Sequence, residues 1–215
     1  MKRIPFGSPE APPPPSKIVC VGRNYREHAA EMGHAAPEQE PLLFLKAPSA
    51  LVTNGGDIRM PPESVRVDYE GELVLVIGKR IKSWPPERFL EALAGVCCGN
   101  DVTARDLQKK DGQFSRAKSF DTFCPVGPEI VSGLDPSDLA IETRVNGAVK
   151  QSARTSNVVF SPAFLIGYVS RMMTLLPGDL IFTGTPAGVG PLAAGDVVEV
   201  EIEKVGVLRN RVSCP

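Results

Sequence analysis

The chain has 215 residues, of which 42% are hydrophobic, and a formal net charge of −1 at pH 7. This length allows one substantial core, and the near-neutral charge without a basic block gives no electrostatic case for a nucleic-acid partner. No apolar run approaches a membrane span, and residues 1–16 lack the apolar centre of a signal peptide, so we expect a soluble, cytoplasmic protein with no membrane partner. The five cysteines include no Cys-x-x-Cys pair, which favours reduced core thiols over disulfides or a structural zinc site.

The beginning of the chain is predicted to be a Pro-rich tail over residues 1–16. A single domain is expected over residues 17–215. Its first two strands are predicted over residues 17–22 and residues 42–45, where short apolar runs are bounded by polar loops.

A short helix is predicted over residues 25–33, with Asn24 as its N-cap and Gly33 as its C-terminal stop. A helix of this length is stable only when it docks on other structure. His28 and Glu31 lie on one face of it, at the i, i+3 spacing at which a carboxylate orients an imidazole and stabilises its charged form. Such a pair has the equipment of a general base that deprotonates water, although a solvent-exposed ion pair has the same pattern.

The most informative stretch is residues 67–79, where Glu70 and Glu72 lead into an apolar, β-branched run that predicts a buried strand. Alternate side chains of a strand share a face, so Glu70 and Glu72 are expected to point the same way, with α-carbons about 6.5 to 7 Å apart. Burying two like charges together is costly unless a cation lies between them. A bound divalent metal would remove that cost, and the alternative is a sheet edge at which both glutamates meet water.

A second pair of glutamates two residues apart, Glu199 and Glu201, lies within residues 197–203. There acidic and aliphatic residues alternate strictly, which is typical of an antiparallel strand that is wetted on one side. We assign these two glutamates no chemistry.

Asp101 lies between two predicted elements. Residues 94–99 indicate a buried strand of small residues, and residues 102–110 have helical composition. An aspartate at such a junction caps the helix, binds a metal, or does both.

The C-terminal half adds a hairpin, a helix and a Gly-rich loop. Residues 139–154 predict the hairpin around an Asn-Gly turn, and residues 161–173 predict a helix whose apolar face joins the core. The loop over residues 184–190 has neither the phosphate-loop motif nor a dinucleotide fingerprint. Its amides and the Thr185 hydroxyl could hold a small anion, although glycines that serve only the turn have the same pattern.

Several motifs together resemble the fumarylacetoacetate hydrolase family from residue 17 to the C-terminus. They are Glu70-x-Glu72, Asp101-Val-Thr-Ala-Arg105-Asp106-x-Gln108, Ala117-Lys118-Ser119-Phe120, the Asn146-Gly hairpin and Thr183-Gly-Thr185-Pro-x-Gly-Val-Gly190. The opening, from Gly22-Arg23-Asn24-Tyr25 to His28-x-x-Glu31, is most similar to the acylpyruvase and oxaloacetate decarboxylase branch. Many short strands and few helices favour an α+β fold with a dominant mixed sheet. The resemblance implies a β-rich roll of this kind, without the additional N-terminal domain of larger relatives, and usually a homodimer.

The resemblance also implies a site. The residues that match metal ligands, usually of Mg²⁺ and alternatively of Mn²⁺ or Ca²⁺, are Glu70, Glu72 and Asp101. The residues that match substrate-binding positions are Arg105, Gln108, Thr185 and Gly184. The residues that match catalytic positions are His28, Glu31 and Lys118. In the family, the helix that carries the first two of these catalytic residues orders over the site as a lid when substrate binds.

The implied reaction is hydrolysis of the carbon–carbon bond of 2,4-dioxo acids, the acylpyruvates, which are the expected small-molecule partners together with other α-keto acids. We predict that His28, held by Glu31, activates water for attack on the 4-carbonyl. The metal and Lys118 would stabilise the pyruvate enolate that cleavage leaves. Decarboxylation of oxaloacetate would give the same enolate without a water nucleophile.

Three alternatives remain open. The chain could be an isomerase of hydroxymuconate-type diacids, a dehydratase of sugar-derived keto acids, or a non-enzymatic module that binds small keto acids. The complete set of charged groups argues against the last. No pattern in the sequence favours one acyl group over another.

Overall fold

The computed structural model describes residues 1–214, which form sixteen strands, five α-helices and three short 3₁₀ helices. The strands are β1 (Lys2–Pro5), β2 (Ile18–Gly22), β3 (Leu42–Lys46), β4 (Leu51–Thr53), β5 (Asp57–Arg59), β6 (Val67–Tyr69), β7 (Gly71–Ile77), β8 (Leu93–Asn100), β9 (Thr103–Ala104), β10 (Cys124–Ser132), β11 (Ala140–Val145), β12 (Ala148–Arg154), β13 (Leu180–Phe182), β14 (Gly190–Pro191), β15 (Val197–Ile202) and β16 (Gly206–Ser213). The α-helices are α1 (Arg26–Glu31), α2 (Phe89–Ala92), α3 (Arg105–Asp111), α4 (Ser115–Lys118) and α5 (Pro162–Met172). The 3₁₀ helices are Pro48–Ala50, Pro86–Arg88 and Thr155–Asn157. None of the helices in this part of the chain has the length and apolar character to cross a membrane.

The strands form three sheets. The largest has eight strands in the order β1-β10-β8-β7-β13-β2-β3, with β4 also paired to β10. The second has the order β12-β11-β15-β16-β5, and the smallest has the order β14-β6-β9. Parallel pairs occur in both larger sheets, between β10 and β4, β13 and β2, and β16 and β5. The prediction of a strand-rich α+β fold with a dominant mixed sheet and few short helices is confirmed.

β7 lies inside the largest sheet, between β8 and β13, and all of its residues are buried. Val74 and Val76 pack into an apolar cluster on one face of the sheet, whereas Leu73 and Leu75 pack into a second cluster on the other. A strand covered on both faces needs apolar side chains on both, which explains the unbroken apolar run after Glu72.

The strand predicted over residues 67–79 is interrupted at Glu70, which belongs to neither β6 nor β7. The backbone N–H of Glu70 donates to Oδ1 of Asn100 (2.9 Å), and its carbonyl accepts from the N–H of Asp101 (2.8 Å). At this junction the chain leaves the small sheet, where β6 pairs with β9 and β14, and enters the large one. The single predicted strand is therefore two strands in different sheets.

Residues 2–5, expected within a tail, form β1 at the edge of the large sheet and pair antiparallel with β10. The Arg3 guanidinium fastens this strand by donating to the carbonyl oxygens of Val205 (2.8 Å) and Lys204 (2.7 Å). Without β1, that edge of β10 would carry unpaired backbone groups. The tail prediction is therefore wrong for residues 2–5, and the domain limits stay a prediction.

The segment that leads into α1 does not form the predicted N-cap at Asn24. Tyr25 occupies the N-cap position without a side-chain cap bond. Asn24 is fully buried, and its amide donates to the carbonyl oxygens of Phe160 (3.0 Å) and Thr183 (2.7 Å). It therefore ties the start of the helix to two segments distant in sequence. Gly33 follows the helix with φ of +75°, as expected for a C-terminal stop.

Two other predicted elements are confirmed. The hairpin of β11 and β12 turns at Asn146 and Gly147, which have φ of +52° and +80°, as an Asn-Gly turn requires. Every second residue of β15 is buried, and Glu199 and Glu201 lie on its opposite, partly exposed face. These glutamates are therefore in the wetted environment that the alternation predicted.

Candidate active site

Three carboxylates from neighbouring elements meet at one end of β7. Glu70 precedes this strand, Glu72 is its second residue, and Asp101 directly follows β8. The antiparallel register of the two strands, in which Gly71 faces Asn100, sets Asp101 beside Glu70. One oxygen from each carboxylate lies within 4.8 Å of the others, and all three residues are at most 4% exposed. The structure thus brings together the three predicted metal ligands.

Buried cations surround these carboxylates. Nζ of Lys118 lies 2.8 Å from Oε2 of Glu70 and 2.7 Å from Oδ2 of Asp101. Arg105 donates to Oε1 of Glu70 (2.5 Å), and Lys46 donates to Oδ1 of Asp101 (2.5 Å). All three cations are at most 3% exposed. Their charges offset the cost of removing Glu70 and Asp101 from water.

The two glutamates differ in their electrostatic surroundings. Burial alone would raise the pKa of Glu70, but the nearby cations, chiefly Lys118, outweigh it and hold that pKa well below its usual value. Glu72 accepts a hydrogen bond from the N–H of Gly184 (2.6 Å), and no lysine or arginine in residues 1–214 forms an ion pair with it. Burial, together with the negative charges of Asp101 and Glu70, raises the pKa of Glu72 well above its usual value.

A divalent cation fits this set of donors. Carboxylate oxygens are the hard ligands that Mg²⁺, Mn²⁺ and Ca²⁺ bind, and here three of them converge within 4.8 Å. Glu72 is buried and short of positive charge, so a cation among the three carboxylates would lower the cost of ionising it. The carboxylate cluster can therefore hold a metal ion.

The Gly-rich loop after β13 forms a wall of the site next to Glu72. Gly184 has φ of +101°, and a Cβ at this position would lie 2.6 Å from Cβ of Asn24, so the close approach requires glycine. The Thr185 hydroxyl donates to the carbonyl oxygen of Gly71 (2.9 Å). The loop is therefore bonded to the same short segment of β7 that carries Glu72.

α1 carries His28 and Glu31 over the carboxylates. His28 is 7% exposed, and its Nδ1 has no hydrogen-bond partner within residues 1–214. Nδ1 lies 3.6 Å from Oε2 of Glu31, beyond hydrogen-bond distance. Glu31 instead accepts from the N–H of Gly188 in the Gly-rich loop (3.1 Å). The two side chains are therefore adjacent but not bonded, and a shift of less than about 1 Å would join them.

The surroundings of His28 favour its neutral form. Burial lowers the pKa of His28 below the ordinary 6.5, and the charges of Arg105 and Lys118 lower it further, against the opposing effects of Glu70 and Glu31. At neutral pH the imidazole is therefore uncharged, which is the form that accepts a proton.

A cavity of 340 Å³ connects these groups. The predicted site residues that line it are His28, Glu70, Glu72, Asp101, Arg105, Gln108, Lys118 and Thr185. Gly184 takes part through its N–H, and Glu31 through its position beside His28. All of the predicted site residues are thus brought into one region of the molecule.

Two buried polar residues of this region are not predicted by any pattern in the sequence. Gln151 lies on a hairpin strand that is otherwise largely exposed, yet its amide donates to the Thr185 hydroxyl and accepts from the N–H of Gly71. Lys46 ends an apolar strand, a position at which lysine ordinarily returns to solvent. Its partner Asp101 is 55 residues away, so no local signal indicates its burial.

Comparison with known proteins identifies the family. A family model described as fumarylacetoacetate (FAA) hydrolase C-terminal matches residues 17–213. The chain belongs to the fumarylacetoacetate hydrolase family. The resemblance seen in the motifs is therefore confirmed, and the matched range contains every site residue described above.

Three members of the family illustrate its range. Oxaloacetate tautomerase YisK from Bacillus subtilis is 44% identical, over 94% of this chain and 71% of its own length. The structure of 2-hydroxyhepta-2,4-diene-1,7-dioate isomerase from Mycobacterium marinum is 48% identical, with a TM-score of 0.87 over 95% of this chain and 77% of that chain. The structure of fumarylpyruvate hydrolase from Pseudomonas aeruginosa, in complex with Mn²⁺ and pyruvate, is 35% identical, with a TM-score of 0.90 over 99% of this chain and 95% of that chain. The family thus comprises enzymes that act on small organic acids by related but distinct reactions.

Proposed function

We propose that this protein is a metal-dependent hydrolase that cleaves the carbon–carbon bond of acylpyruvates and releases pyruvate. The observation that carries this proposal is that a buried histidine, His28, lines the same cavity as the carboxylate cluster and Lys118, where burial lowers the pKa of its imidazole. One bound substrate would therefore meet both a base that can deprotonate water and groups that stabilise an enolate. We propose Mg²⁺ as the metal, with Mn²⁺ or Ca²⁺ as alternatives, and a cytoplasmic homodimer as the working form.

The buried end of the cavity, at Glu70, Glu72 and Asp101, suits the 2-oxo acid part of the substrate. A divalent cation held by Glu70, Glu72 and Asp101 would, when bound, polarise the substrate's oxygens and stabilise enolate charge. Arg105, Gln108 and Thr185 line the same cavity, and the Thr185 hydroxyl would turn its hydrogen bond from the carbonyl oxygen of Gly71 to the substrate. These side chains would orient the 2-oxo acid so that its acyl end extends towards the mouth.

In the proposed reaction His28 takes a proton from water, and the resulting hydroxide adds to the C4 carbonyl. The bond between C3 and C4 then breaks, so that the acyl group leaves as a carboxylic acid and the electron pair stays on C3 as the pyruvate enolate. Lys118 stabilises the enolate charge. The protonated His28 returns its proton to C3, which gives pyruvate and restores the neutral base. Glu31, 3.6 Å from Nδ1, stabilises the imidazolium between these two steps.

The lowered pKa of His28 predicts the pH dependence of hydrolysis. Because only the neutral imidazole accepts the proton, kcat/KM should fall as pH drops through the pKa of His28, which lies below 6.5, and should be level above it. Glu31 raises this pKa, so Glu31→Gln should move the break to still lower pH. A pH–rate profile of both proteins measures this, and a break above pH 6.5 that Glu31→Gln leaves in place would contradict the assignment of His28 as the base.

Two further cations favour a substrate with a second carboxylate at its acyl end. Arg23 and Lys109 line the cavity, and neither forms an ion pair within residues 1–214. In α3, Arg105 is buried, Gln108 is partly exposed and Lys109 is exposed, so this lysine lies towards the mouth of the cavity. An acylpyruvate with a charged acyl end, such as fumarylpyruvate, would pair with these cations, whereas acetylpyruvate would leave them without a partner.

Replacing Arg23 tests this preference. Arg23→Gln should lower kcat/KM for fumarylpyruvate by about tenfold or more, because a hydrogen bond to a charged group is lost, and should change acetylpyruvate hydrolysis by less than about twofold. Arg26→Gln is the matched control, since Arg26 is exposed and does not line the cavity. Equal losses on both substrates would rule out recognition of the acyl-end carboxylate by Arg23.

The similarity to YisK and to the dioate isomerase supports a second candidate, a tautomerase or isomerase of 2-oxo diacids. Such a reaction would use the same enolate-stabilising groups but would need only proton transfer, without water as a nucleophile. Decarboxylation of oxaloacetate is a further outcome of the same chemistry.

A side-by-side assay of acetylpyruvate, fumarylpyruvate, oxaloacetate and a hydroxymuconate, with Mg²⁺ and with Mn²⁺, separates these candidates. A hydrolase releases pyruvate and the acyl acid in equal amounts from an acylpyruvate. Loss of the enol absorbance or migration of a double bond, without any pyruvate from acylpyruvates, would overturn the hydrolase proposal in favour of the second candidate.

A further inference from the structure

Lys46 is a buried cation that the proposed reaction does not use. It is the last residue of β3, and its side chain is fully buried. Nζ lies 2.5 Å from Oδ1 of Asp101 and 3.2 Å from the carbonyl oxygen of Val102. A lysine is retained in such an environment only when an ion pair and hydrogen bonds compensate for lost hydration, so these two contacts fix the position of its amine.

Two lysines divide the oxygens of Asp101 between them. Lys118 contacts Oδ2 of Asp101 (2.7 Å) and Oε2 of Glu70 (2.8 Å), so Oδ2 is the oxygen turned towards Glu70. Lys46 contacts the other oxygen, Oδ1. The backbone N–H of Asp101 also donates to the carbonyl oxygen of Glu70 (2.8 Å), which restrains the residue from a third direction. Both oxygens of Asp101 thus accept from a lysine, but only Oδ2 is linked through its lysine to Glu70, whereas the lysine on Oδ1 is bonded to the carbonyl oxygen of Val102.

We propose that Lys46 is a positioning residue that makes Asp101 a one-oxygen ligand and thereby makes the site select Mg²⁺ and Mn²⁺ over Ca²⁺. This role rests on the metal site of the proposed function. Mg²⁺ requires near-octahedral coordination, whereas Ca²⁺ takes up to about eight oxygens and commonly uses both oxygens of a carboxylate. Because Lys46 is bonded to Oδ1, Asp101 cannot bind a metal ion through both oxygens. The site therefore loses affinity for Ca²⁺.

The ratio of two dissociation constants isolates this effect. Removing Lys46 takes away a positive charge near the site, which strengthens the binding of every divalent ion. It also loosens Asp101, which weakens the binding of every divalent ion. The change in charge acts on Ca²⁺ and Mn²⁺ alike and cancels in the ratio of their dissociation constants, whereas the freedom of Asp101 to bind through its second oxygen favours Ca²⁺ alone.

Lys46→Met keeps the length of the side chain and removes its amine. Mn²⁺ binding is followed by electron paramagnetic resonance, with Ca²⁺ and Mg²⁺ as competitors. We expect the ratio of the Ca²⁺ to the Mn²⁺ dissociation constant to fall by about tenfold or more, and the ratio of Mg²⁺ to Mn²⁺ to change by less than about twofold. Lys17→Met is the matched control, because Lys17 also pairs with a buried aspartate, Asp179, but lines no part of the cavity.

A Ca²⁺ to Mn²⁺ ratio in Lys46→Met within about twofold of the unsubstituted protein would overturn the role of Lys46. If this variant does not fold, a crystal structure of the unsubstituted protein with Ca²⁺ decides: Asp101 bound through one oxygen supports the role, and Asp101 bound through both overturns it. Failure of the unsubstituted protein to bind Mn²⁺ would instead remove the metal site itself, and with it the proposed function.

Discussion

Glu72→Gln is expected to abolish Mn²⁺ binding at the carboxylate cluster and to lower hydrolysis about a thousandfold or more. A metal that polarises the reacting oxygens contributes several kcal/mol to transition-state stabilisation, and each 1.36 kcal/mol is about tenfold in rate. Glutamine has the same shape and can still accept the hydrogen bond from the N–H of Gly184. Steady-state kinetics and Mn²⁺ titration of the purified variant measure both effects.

The same substitution should not lower the free energy of unfolding. Glu72 is buried without an ion-pair partner in residues 1–214, so replacing it by a neutral amide removes an electrostatic cost. The matched control is Glu199→Gln, on the partly exposed face of β15, for which we expect less than about a twofold change in rate. Hydrolysis by Glu72→Gln at the rate of the unsubstituted protein would contradict the role of Glu72, whereas a loss of stability would show that its effect is structural.

His28→Ala should lower hydrolysis of acylpyruvates by about a hundredfold to ten-thousandfold, the range that general acid–base catalysis supplies. Decarboxylation of oxaloacetate needs no water nucleophile, so at least part of any such activity should survive. His28 contributes no atom to the carboxylate cluster, and the Mn²⁺ dissociation constant should therefore change little. The two activities and the metal affinity are measured on the same preparation of the variant.

Equal loss of hydrolysis and decarboxylation in His28→Ala, with metal affinity intact, would contradict this division of labour. It would indicate that the imidazole acts on the enolate common to both reactions rather than on water. That result would favour the tautomerase or isomerase candidate, in which proton transfer is the whole reaction.

The candidate site could be predicted from the sequence where its chemistry is local. Glu70 and Glu72 stand out because carboxylates enter an apolar run, and Glu199 and Glu201 show by contrast what a wetted strand looks like. The His28 spacing to its glutamate is likewise visible along one helix. The joining of these pieces into one site depended on the family resemblance, because no periodicity indicates that β7 and β8 pair in the register that sets Asp101 beside Glu70.

The features that the sequence did not predict depend on contacts between distant residues. Asn24 is of a residue type that commonly caps helices, yet its amide donates to the carbonyl oxygen of Phe160, which is 136 residues away. Residues 2–5 look like part of a Pro-rich tail, but Lys2 pairs with Ser132 across the sheet edge. Lys46 and its partner are similarly separated. Long-range partners can override local preferences in this way, because a buried polar group must be bonded wherever a partner lies.

In the proposed site, a divalent ion bound by Glu70, Glu72 and Asp101 stabilises the enolate. Turnover of acylpyruvates by protein stripped of divalent cations with a chelator, then titrated with Mg²⁺ or Mn²⁺, tests this most directly. We expect the stripped protein to be inactive and activity to return in proportion to the metal bound. Full turnover by the stripped protein would contradict the claim.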